Sequence, residues 1–503
     1  MNLKLIENVD AKPNIPAGVD ISLAISYKIL FCELNGEVKA VVSNDSDLVN
    51  AYQFLSKLDD DYEIVLLDDA SYERLYKRFV EIKTDRSLTD VDTSSSVDED
   101  EESLIEFLQS STNLLDSEDS APIIKFVNSL FYQAIKKNAS DIHIEHHEQK
   151  GEVRFRVDGV LSKHVDLDKK VISLIVSRIK VISNLDISEK RVPQDGRTNI
   201  KIADKSLDIR VSVLPTYYGE RVVMRILMQS NQIPTLNDLG FPEYLNKHYD
   251  DLLKHSHGMI LVTGPTGSGK STTLHSFLQQ VASKEKNIIT VEDPVEYNAQ
   301  NVNQIQVNND VGLTFSAGLR SILRQDPDII MIGEIRDSET AAIAIKAALT
   351  GHLVFSTLHT NNSTSALNRL VDMGVDEFLV SSSVLGILAQ RLVRKLCLNC
   401  KEKTTVSPML INEFGISSNH EVYKAVGCHE CNFTGYTGRQ AVGELFILDD
   451  TVKSNLKDIS NDFEIREFMK NHGMKTLSDE LLRVYTEGLT SFDEILRVGV
   501  KEN

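Results

Sequence analysis

The sequence predicts an α/β protein of several domains, and three observations carry that prediction. The stretch "HGMILVTGPTGSGKSTTLHSF" (257–277) runs from an apolar β-branched strand through a glycine-rich loop into a helix. Two further apolar runs, "NIITVEDPVEY" and "DPDIIMIGEIRD", stop at carboxylates, as strands do at the ligand-binding edge of a parallel sheet. Upstream, a helical segment is followed by alternating strands between about residues 121 and 230, which reads as a separate α+β unit.

The 503 residues are too many for one core and enough for about three domains. Hydrophobic content of 41% with 25% charged residues is ordinary for soluble globular chains. No apolar stretch approaches bilayer-spanning length, and "MNLKLIENVDAK" lacks the apolar core of a secretory signal. The expectation is a cytoplasmic chain that meets a membrane only through a partner. A net charge of −20 lowers the expectation of a duplex-binding motor, which needs a basic face, so no nucleic-acid partner is expected.

Residues 1–85 read as a small α/β docking unit. "YKILFCEL" and "EVKAVVSN" flank Asn35-Gly36, a two-residue hairpin signal, and are followed by helix, strand and helix patterns. Residues 86–120 are polar and acidic, with five consecutive acids from Asp98 to Glu102. They read as a flexible linker, with "LIEFLQSSTNLL" as a possible helix within it. The α+β unit covers 121–232, and the nucleotide-binding α/β unit covers 233–503.

Gly264, Pro265, Thr266, Gly267, Ser268, Gly269, Lys270, Ser271 and Thr272 form the phosphate-loop pattern G-x-x-x-x-G-K-[ST]. The glycines let amides curl around an anion at a helix N-terminus. Lys270 can reach the β and γ phosphates of ATP, and the Ser271 hydroxyl can ligate Mg²⁺. Glu292 and Glu334 lie at the tips of the two acid-ended strands. Most phosphate-loop enzymes have an Asp where Gly333 stands, so orienting water and holding the metal shell fall to Glu292 and Glu334, undivided by sequence. "HLVFSTLH" alternates like a strand, with His352 before it and His359 at its end. A histidine at a strand end can sense a γ-phosphate. Arginines 210, 221, 225, 320, 324 and 336 form a dense set that suggests two domains closing over the nucleotide.

Of five cysteines, Cys397, Cys400, Cys428 and Cys431 form two C-x-x-C pairs, which favours a structural tetrahedral Zn²⁺ over disulfides in a cytosolic chain. The gap between the pairs exceeds ordinary ribbon spacing, so an inserted loop is implied within a 397–440 module. His429 is unnecessary to a four-ligand site. Arg391, Arg394, Lys395, Lys401 and Lys403 flank the module, which leaves a nucleic-acid role open.

From Ala121 onward the chain resembles the secretion ATPase superfamily, specifically the type II secretion ATPases of the E type. The resemblance rests on "ASDIHIE", "VRFRVDGVL", "EKRVPQDGR", "GERVVMRIL", "GPTGSGKST", "ITVEDPVEY", "RQDPDIIMIGEIRD", "TGHLVFSTLHTN" and the tetracysteine set, in that order. It implies a RecA-like motor domain after a PAS-like second domain. The glycine at position 333 is usual there. It also implies an aspartate box at Glu292, Asp293 and Glu296, a histidine box at His352 and His359, and arginine fingers at Arg210 and Arg225. Members work as homo-hexamers that turn ATP hydrolysis into domain rotation. The first domain of such proteins docks on the cytoplasmic domain of an inner-membrane component, and an inner-membrane platform protein is the further partner, so the chain is expected at the inner membrane only peripherally. The implied output is assembly of a pilin-like fibre that drives protein export. A type IV pilus assembly ATPase shares every motor motif, although such proteins generally carry a longer N-terminal region. A zinc-ribbon nucleic-acid translocase and an ATP-binding scaffold without turnover are the alternatives from other classes.

Overall fold

The computed structural model describes scattered residues within 5–76, then 121–202, 205–228, 233–456 and 462–499. The acidic stretch read as a linker, with its helix, lies outside the described residues. Compactness divides the chain into two units: Met1–Gln133 with Ile144–Val153 and Val165–Met224, and Ala134–His143 with Arg154–His164 and Arg225–Asn503.

The N-terminal sheet has the order β1-β5-β4-β3-β2, from β1 (Leu5–Ile6), β2 (Lys12–Pro13), β3 (Ile29–Leu34), β4 (Glu37–Val42) and β5 (Ile64–Leu67). β3 and β4 are antiparallel with Leu34 opposite Glu37, so two residues join them, as the Asn35-Gly36 signal requires. Those two residues themselves lie outside the described set. β4 and β5 are parallel, which demands a crossover. Ala51, Phe54 and Leu55, at helical spacing within that crossover, are buried with Phe31, Val41 and Val65.

The second sheet has the order β8-β7-β6-β11-β10-β9. Its strands are β6 (Ala139–His146), β7 (Lys150–Val157), β8 (Val160–Asp168), β9 (Gln194–Ile202), β10 (Lys205–Thr216) and β11 (Gly219–Met228), with α1 (Ala121–Lys136) before them and α2 (Lys169–Ile182) between β8 and β9. Period-two alternation buries Ile142, Ile144, Val153, Phe155, Ile209, Val211, Val222 and Met224. The intervening positions carry charge: Asp141, Glu145, Arg156, Arg210, Arg221 and Arg225. α2 starts where the Asp168 carboxylate accepts the Lys170 amide at 2.7 Å, an N-cap.

The third sheet has the order β14-β13-β15-β16-β12-β17-β20. β12 (Gly258–Thr263), β13 (Ile288–Glu292), β14 (Asn303–Gln306), β15 (Ile329–Ile332), β16 (Leu353–Leu358) and β17 (Val384–Leu396) are parallel, and β20 (Tyr436–Ile447) pairs antiparallel with β17. The helices along this part are α3 (Glu243–Leu252), α4 (Lys270–Val281), α5 (Phe315–Ile322), α6 (Ser338–Leu349), α7 (Ser365–Asp372), α8 (Glu377–Ser383) and α9 (Pro408–Phe414). After β20 come α10 (Asp450–Leu456), α11 (Asp462–Asn471), α12 (Leu477–Thr486) and α13 (Phe492–Val498). The central strands are apolar at successive positions because both faces are covered. Leu261, Val291, Ile330 and Val354 pack with Leu319, Ile322, Ala344 and Ile345 from α5 and α6. Ile260, Val262, Met331 and Phe355 pack with Tyr249, Leu274, Phe277 and Leu278 from α3 and α4. The insertion expected between the cysteine pairs is present. It holds α9 and the two-stranded ribbon of β18 (Glu402–Thr404) and β19 (Val422–Lys424).

Candidate active site

Strand register brings the motifs to one edge. Thr263 lies opposite Leu358, Ile332 opposite Ser356, and Val291 opposite Ile332. The residues that follow, namely the phosphate loop after β12, Glu292 at the tip of β13, Glu334 after β15 and His359 after β16, therefore occupy the carboxyl ends of four neighbouring parallel strands. This is where a doubly covered sheet leaves a crevice for a ligand.

The loop curls because its glycines permit it. Gly264 (φ +149°) has no room for a side chain, since a Cβ would lie 2.5 Å from the Gln390 carbonyl. Gly269 (φ +84°) is the left-handed N-cap of α4, and a Cβ there would lie 2.9 Å from Gln390 Nε2. Gln390, on β17, braces the loop from below. Its Nε2 donates to the Ser268 carbonyl (2.8 Å), and its Oε1 accepts from Thr273 Oγ1 (2.8 Å). Lys270 folds back across the loop and donates to the Gly264 and Pro265 carbonyls at 2.8 and 3.1 Å. Burial pushes its ammonium below the ordinary lysine range, with Arg391 acting in the same direction and Glu334 against it. Ser271 is exposed on the first turn of α4, and Ser268 Oγ is buried without a hydrogen-bond partner. Thr272 Oγ1 lies 3.2 Å from the Tyr297 hydroxyl.

The two acids are held differently. Glu334 is half-buried, pairs with Arg336, and lies 3.2 Å from His359 Nε2. Partial burial works against its ionisation, but Arg336 and His359 keep it below the usual carboxylate range. Glu292 is buried. Its Oε1 accepts from Thr290 Oγ1 (2.6 Å) and Gln304 Nε2 (2.9 Å), and its Oε2 lies 3.2 Å from Nε2 of His275. Burial opposes its charge too, and His275, Thr290 and Gln304 more than compensate. His275 Nδ1 donates to the Ser271 carbonyl at 2.8 Å, so only its Nε2 faces the acid. Burial lowers the tendency of His275 to protonate, yet Glu292 raises it above the ordinary histidine value.

Several residues read from the sequence lie elsewhere. His352 precedes β16 at its amino end, with Nδ1 at 3.0 Å from the Ala347 carbonyl. Six strand residues at about 3.3 Å each put it on the order of 20 Å from the phosphate-loop edge. His352 and His359 therefore lie at opposite edges of the sheet. Arg225 donates to Asp141 (2.9 Å) in the second sheet, Arg221 pairs with Glu145 (2.9 Å), and Arg210 lies opposite Arg197 across β9 and β10. Arg320 pairs with Glu339, and Arg324 donates to Ser321. A cavity of about 940 Å³ lined by Pro234, Gln279 and Asn301 lies at the far end of α4 from the loop.

Sequence reasoning missed His275, whose signal is its place four residues after Ser271 on one helix face. It also placed Arg391 with the cysteine module. Arg391 instead clamps the loop after β16 to the phosphate-loop edge, donating to Asn361 and Gln390 carbonyls at 2.7 and 3.0 Å. Among its neighbours, Arg394 pairs with buried Glu494 (2.8 Å), Lys403 with Glu421 (2.7 Å), and Lys401 donates to the Gly488 carbonyl (3.0 Å).

The four cysteines come together. Cys397–Cys428, Cys400–Cys431 and Cys428–Cys431 sulfurs are each 3.8 Å apart, far beyond disulfide length. All four sulfurs lie within 4.8 Å of one another, and an edge of 3.8 Å is that of a regular tetrahedron whose centre is about 2.3 Å from each corner, the usual zinc–thiolate distance. Amides of Gly427, Cys428 and Gly435 donate to Cys400 or Cys431 sulfurs at 3.2–3.3 Å, as thiolates require. His429 stays outside the set, edge-on to Phe433.

A glycine-lined phosphate loop and strand-tip carboxylates on a parallel sheet with both faces covered define a RecA-like P-loop ATPase. The chain matches the family described as Type II/IV secretion system protein over residues 116–497, and it belongs to that family as one of its type II secretion E members. It is 49% identical over 399 residues to type II secretion system protein E of Pectobacterium carotovorum subsp. carotovorum, covering 79% of this chain and 80% of that one. It is 45% identical over 442 residues to type II secretion system ATPase E of Vibrio cholerae serotype O1, covering 87% of each. The X-ray structure of the Legionella pneumophila ATPase DotB superposes with a TM-score of 0.55 at 21% identity, covering 74% of this chain and 95% of that one, a likeness of fold. Among the described residues no helix is long and apolar enough to cross a membrane.

Proposed function

We infer that the chain hydrolyses ATP at the β12–β13–β15–β16 edge and uses the energy for protein export by type II secretion. The observation that supports this most is the meeting of Lys270, Glu292, Glu334 and His359 at one sheet edge in a member of this family. In this reading the amides around Gly267 and Gly269 cradle the phosphates, and Lys270 exchanges its two loop carbonyls for phosphate oxygens. Ser271 and Glu334 hold Mg²⁺, which neutralises phosphate charge when bound. Glu292 is the base that polarises the attacking water, and His359 keeps Glu334 oriented. Arg210 and Arg225 serve as fingers between subunits of a homo-hexamer once Arg225 leaves Asp141.

The same reading assigns residues 1–85 to docking on the cytoplasmic domain of an inner-membrane secretion component, and 86–120 to a linker. Residues 121–232 form the PAS-like domain and 233–503 the motor, with 397–440 stapled by a structural Zn²⁺ on Cys397, Cys400, Cys428 and Cys431. The chain works in the cytoplasm at the inner membrane, against a platform protein.

The test uses the native host with Glu334→Gln as its only copy, assaying exported folded proteins and surface pili side by side. Lost export with normal pili is the expected result. Lost pili with normal export would move the chain to the pilus assembly branch. Normal turnover in Lys270→Ala would overturn the site itself.

A further inference from the structure

His275 stands outside every motif of the nucleotide site, yet it is the residue that joins the two halves of that site. It lies one turn beyond Ser271 on α4 and is 1% exposed. Its Nδ1 donates to the Ser271 carbonyl (2.8 Å), and its buried Nε2 lies at ion-pair distance from Glu292 Oε2 (3.2 Å) without hydrogen-bond alignment. The two carboxylate oxygens of Glu292 are not equivalent. Oε1 is taken by Thr290 and Gln304, both from the sheet side, whereas Oε2 faces the phosphate-loop helix through His275. The ring also packs against Tyr297 at 5.0 Å between centroids, and the Tyr297 hydroxyl reaches Thr272 on the same helix. Glu296 is the other acid whose charge bears on the imidazole.

We propose that His275 is a positioning residue that fixes the Oε2 edge of Glu292 against the phosphate-loop helix, so that turnover depends on it and nucleotide binding does not. A base in a water-polarising role has one oxygen to offer, and Oε1 is already used twice. The two bonds on Oε1 hold the carboxylate from the sheet side only and leave the Oε2 edge to be set from the helix side. An imidazole at ion-pair distance from the second oxygen, carried by the helix that bears the phosphate loop, holds that edge of the acid against the helix. This proposal rests on the reading of Glu292 as the base.

Two amide substitutions separate the contacts of the imidazole. The side-chain nitrogen of glutamine falls near the place of Nε2, and that of asparagine near the place of Nδ1. The experiment measures kcat, KM for ATP and equilibrium nucleotide binding in the full-length chain for His275→Gln, His275→Asn and His275→Leu. Each is made alone and together with Glu292→Gln. The expected result is that His275→Gln stays within about 3-fold of the parent in kcat, while His275→Asn and His275→Leu lose about 10-fold or more, against the 10²–10⁴ that general base catalysis commands. KM and binding stay within about 2-fold in all three, and none lowers the residual turnover of Glu292→Gln further.

Asparagine rescuing better than glutamine would reduce His275 to a staple for the Ser271 carbonyl and overturn the proposal. So would losses that add to that of Glu292→Gln, or weakened nucleotide binding in the two amide variants. Full turnover in His275→Leu with Glu292→Gln inactive would overturn it while leaving the base assignment standing. Full turnover in Glu292→Gln alone would remove the base assignment, and this proposal with it.

Discussion

Replacing Glu444 by Gln is predicted to be among the costliest single changes in the motor domain, although Glu444 belongs to none of its motifs. Its side chain is fully buried on β20. It accepts the Ser363 amide (3.0 Å) and hydroxyl on Oε1, and Arg466 (3.1 Å) with the Leu477 amide (3.2 Å) on Oε2. Glutamine preserves the volume, but its NH₂ must replace one oxygen. Turned toward Ser363 it confronts the backbone amide and obliges the hydroxyl to reverse from donor to acceptor, and turned toward Arg466 it confronts a cation and an amide. Removing one side of a buried ion pair costs about 3–5 kcal/mol. At about 2–4 °C per kcal/mol for a domain of this size, the unfolding midpoint of the motor should fall by at least about 6 °C. Differential scanning calorimetry of the full chain, with ATP turnover measured well below the transition, checks it. Turnover should fall as well, because Ser363 anchors the loop that starts at His359. A midpoint within about 2 °C of the parent would refute the reasoning, since it would mean that these four donors find other acceptors.

Three further outcomes are expected. His352→Ala should leave nucleotide affinity unchanged and cost about 1 kcal/mol of stability through its contact with the Ala347 carbonyl, measured by nucleotide titration and melting. Glu494 is buried; burial opposes its charge, but Arg497 and Arg394 hold its carboxyl below the usual range. The folded chain thus binds fewer protons than the unfolded chain there, so this contribution is present at neutral pH and is lost as pH falls below about 4.3 through the folded value. Melting temperature against pH should accordingly show a shallower acid slope in Glu494→Gln than in the parent. Zinc is expected at one per chain with four sulfurs at about 2.3 Å by X-ray absorption. Its chelation should raise protease susceptibility within 397–440 while ATP affinity holds, and a large loss of ATP binding would place the metal module in the active site.

The phosphate loop, the acid-tipped strands and the cysteine set were legible because each is a local pattern whose chemistry demands its spacing. Their convergence was also legible, since parallel strands deliver their carboxyl ends to one edge. The direction of β16 carried more than was taken from it. A histidine before a parallel strand and one after it lie at opposite edges, which separates His352 from His359 without any structure. Arg391 was misplaced for a different reason. Proximity in sequence to Cys397 suggested the cysteine module, but β17 runs past the phosphate loop before it reaches the cysteines. His275 was hidden because a lone histidine on an amphipathic helix has no motif, and only the arrival of β13 beside α4 gives it a partner. The second-domain arginines suggested, as a set, two domains closing over the nucleotide; in the structure Arg221 and Arg225 pair with acids on the adjoining strand of their own sheet. Charge pairing across a sheet depends on register, which composition does not contain.

β17 is thirteen residues long, and only its first part lies beside β12; the remainder continues in a two-stranded ribbon with β20 and ends at Leu396, one residue before Cys397. From Gln390, which braces the phosphate loop, to Cys397 is seven residues, on the order of 23 Å at the usual rise. The ribbon is tied down along that length: Arg394 pairs with buried Glu494 (2.8 Å), and the Leu396 amide donates to the Leu489 carbonyl (2.9 Å). One strand thus fastens the cysteine module both to the phosphate loop at its near end and to the last helices of the chain at its far end.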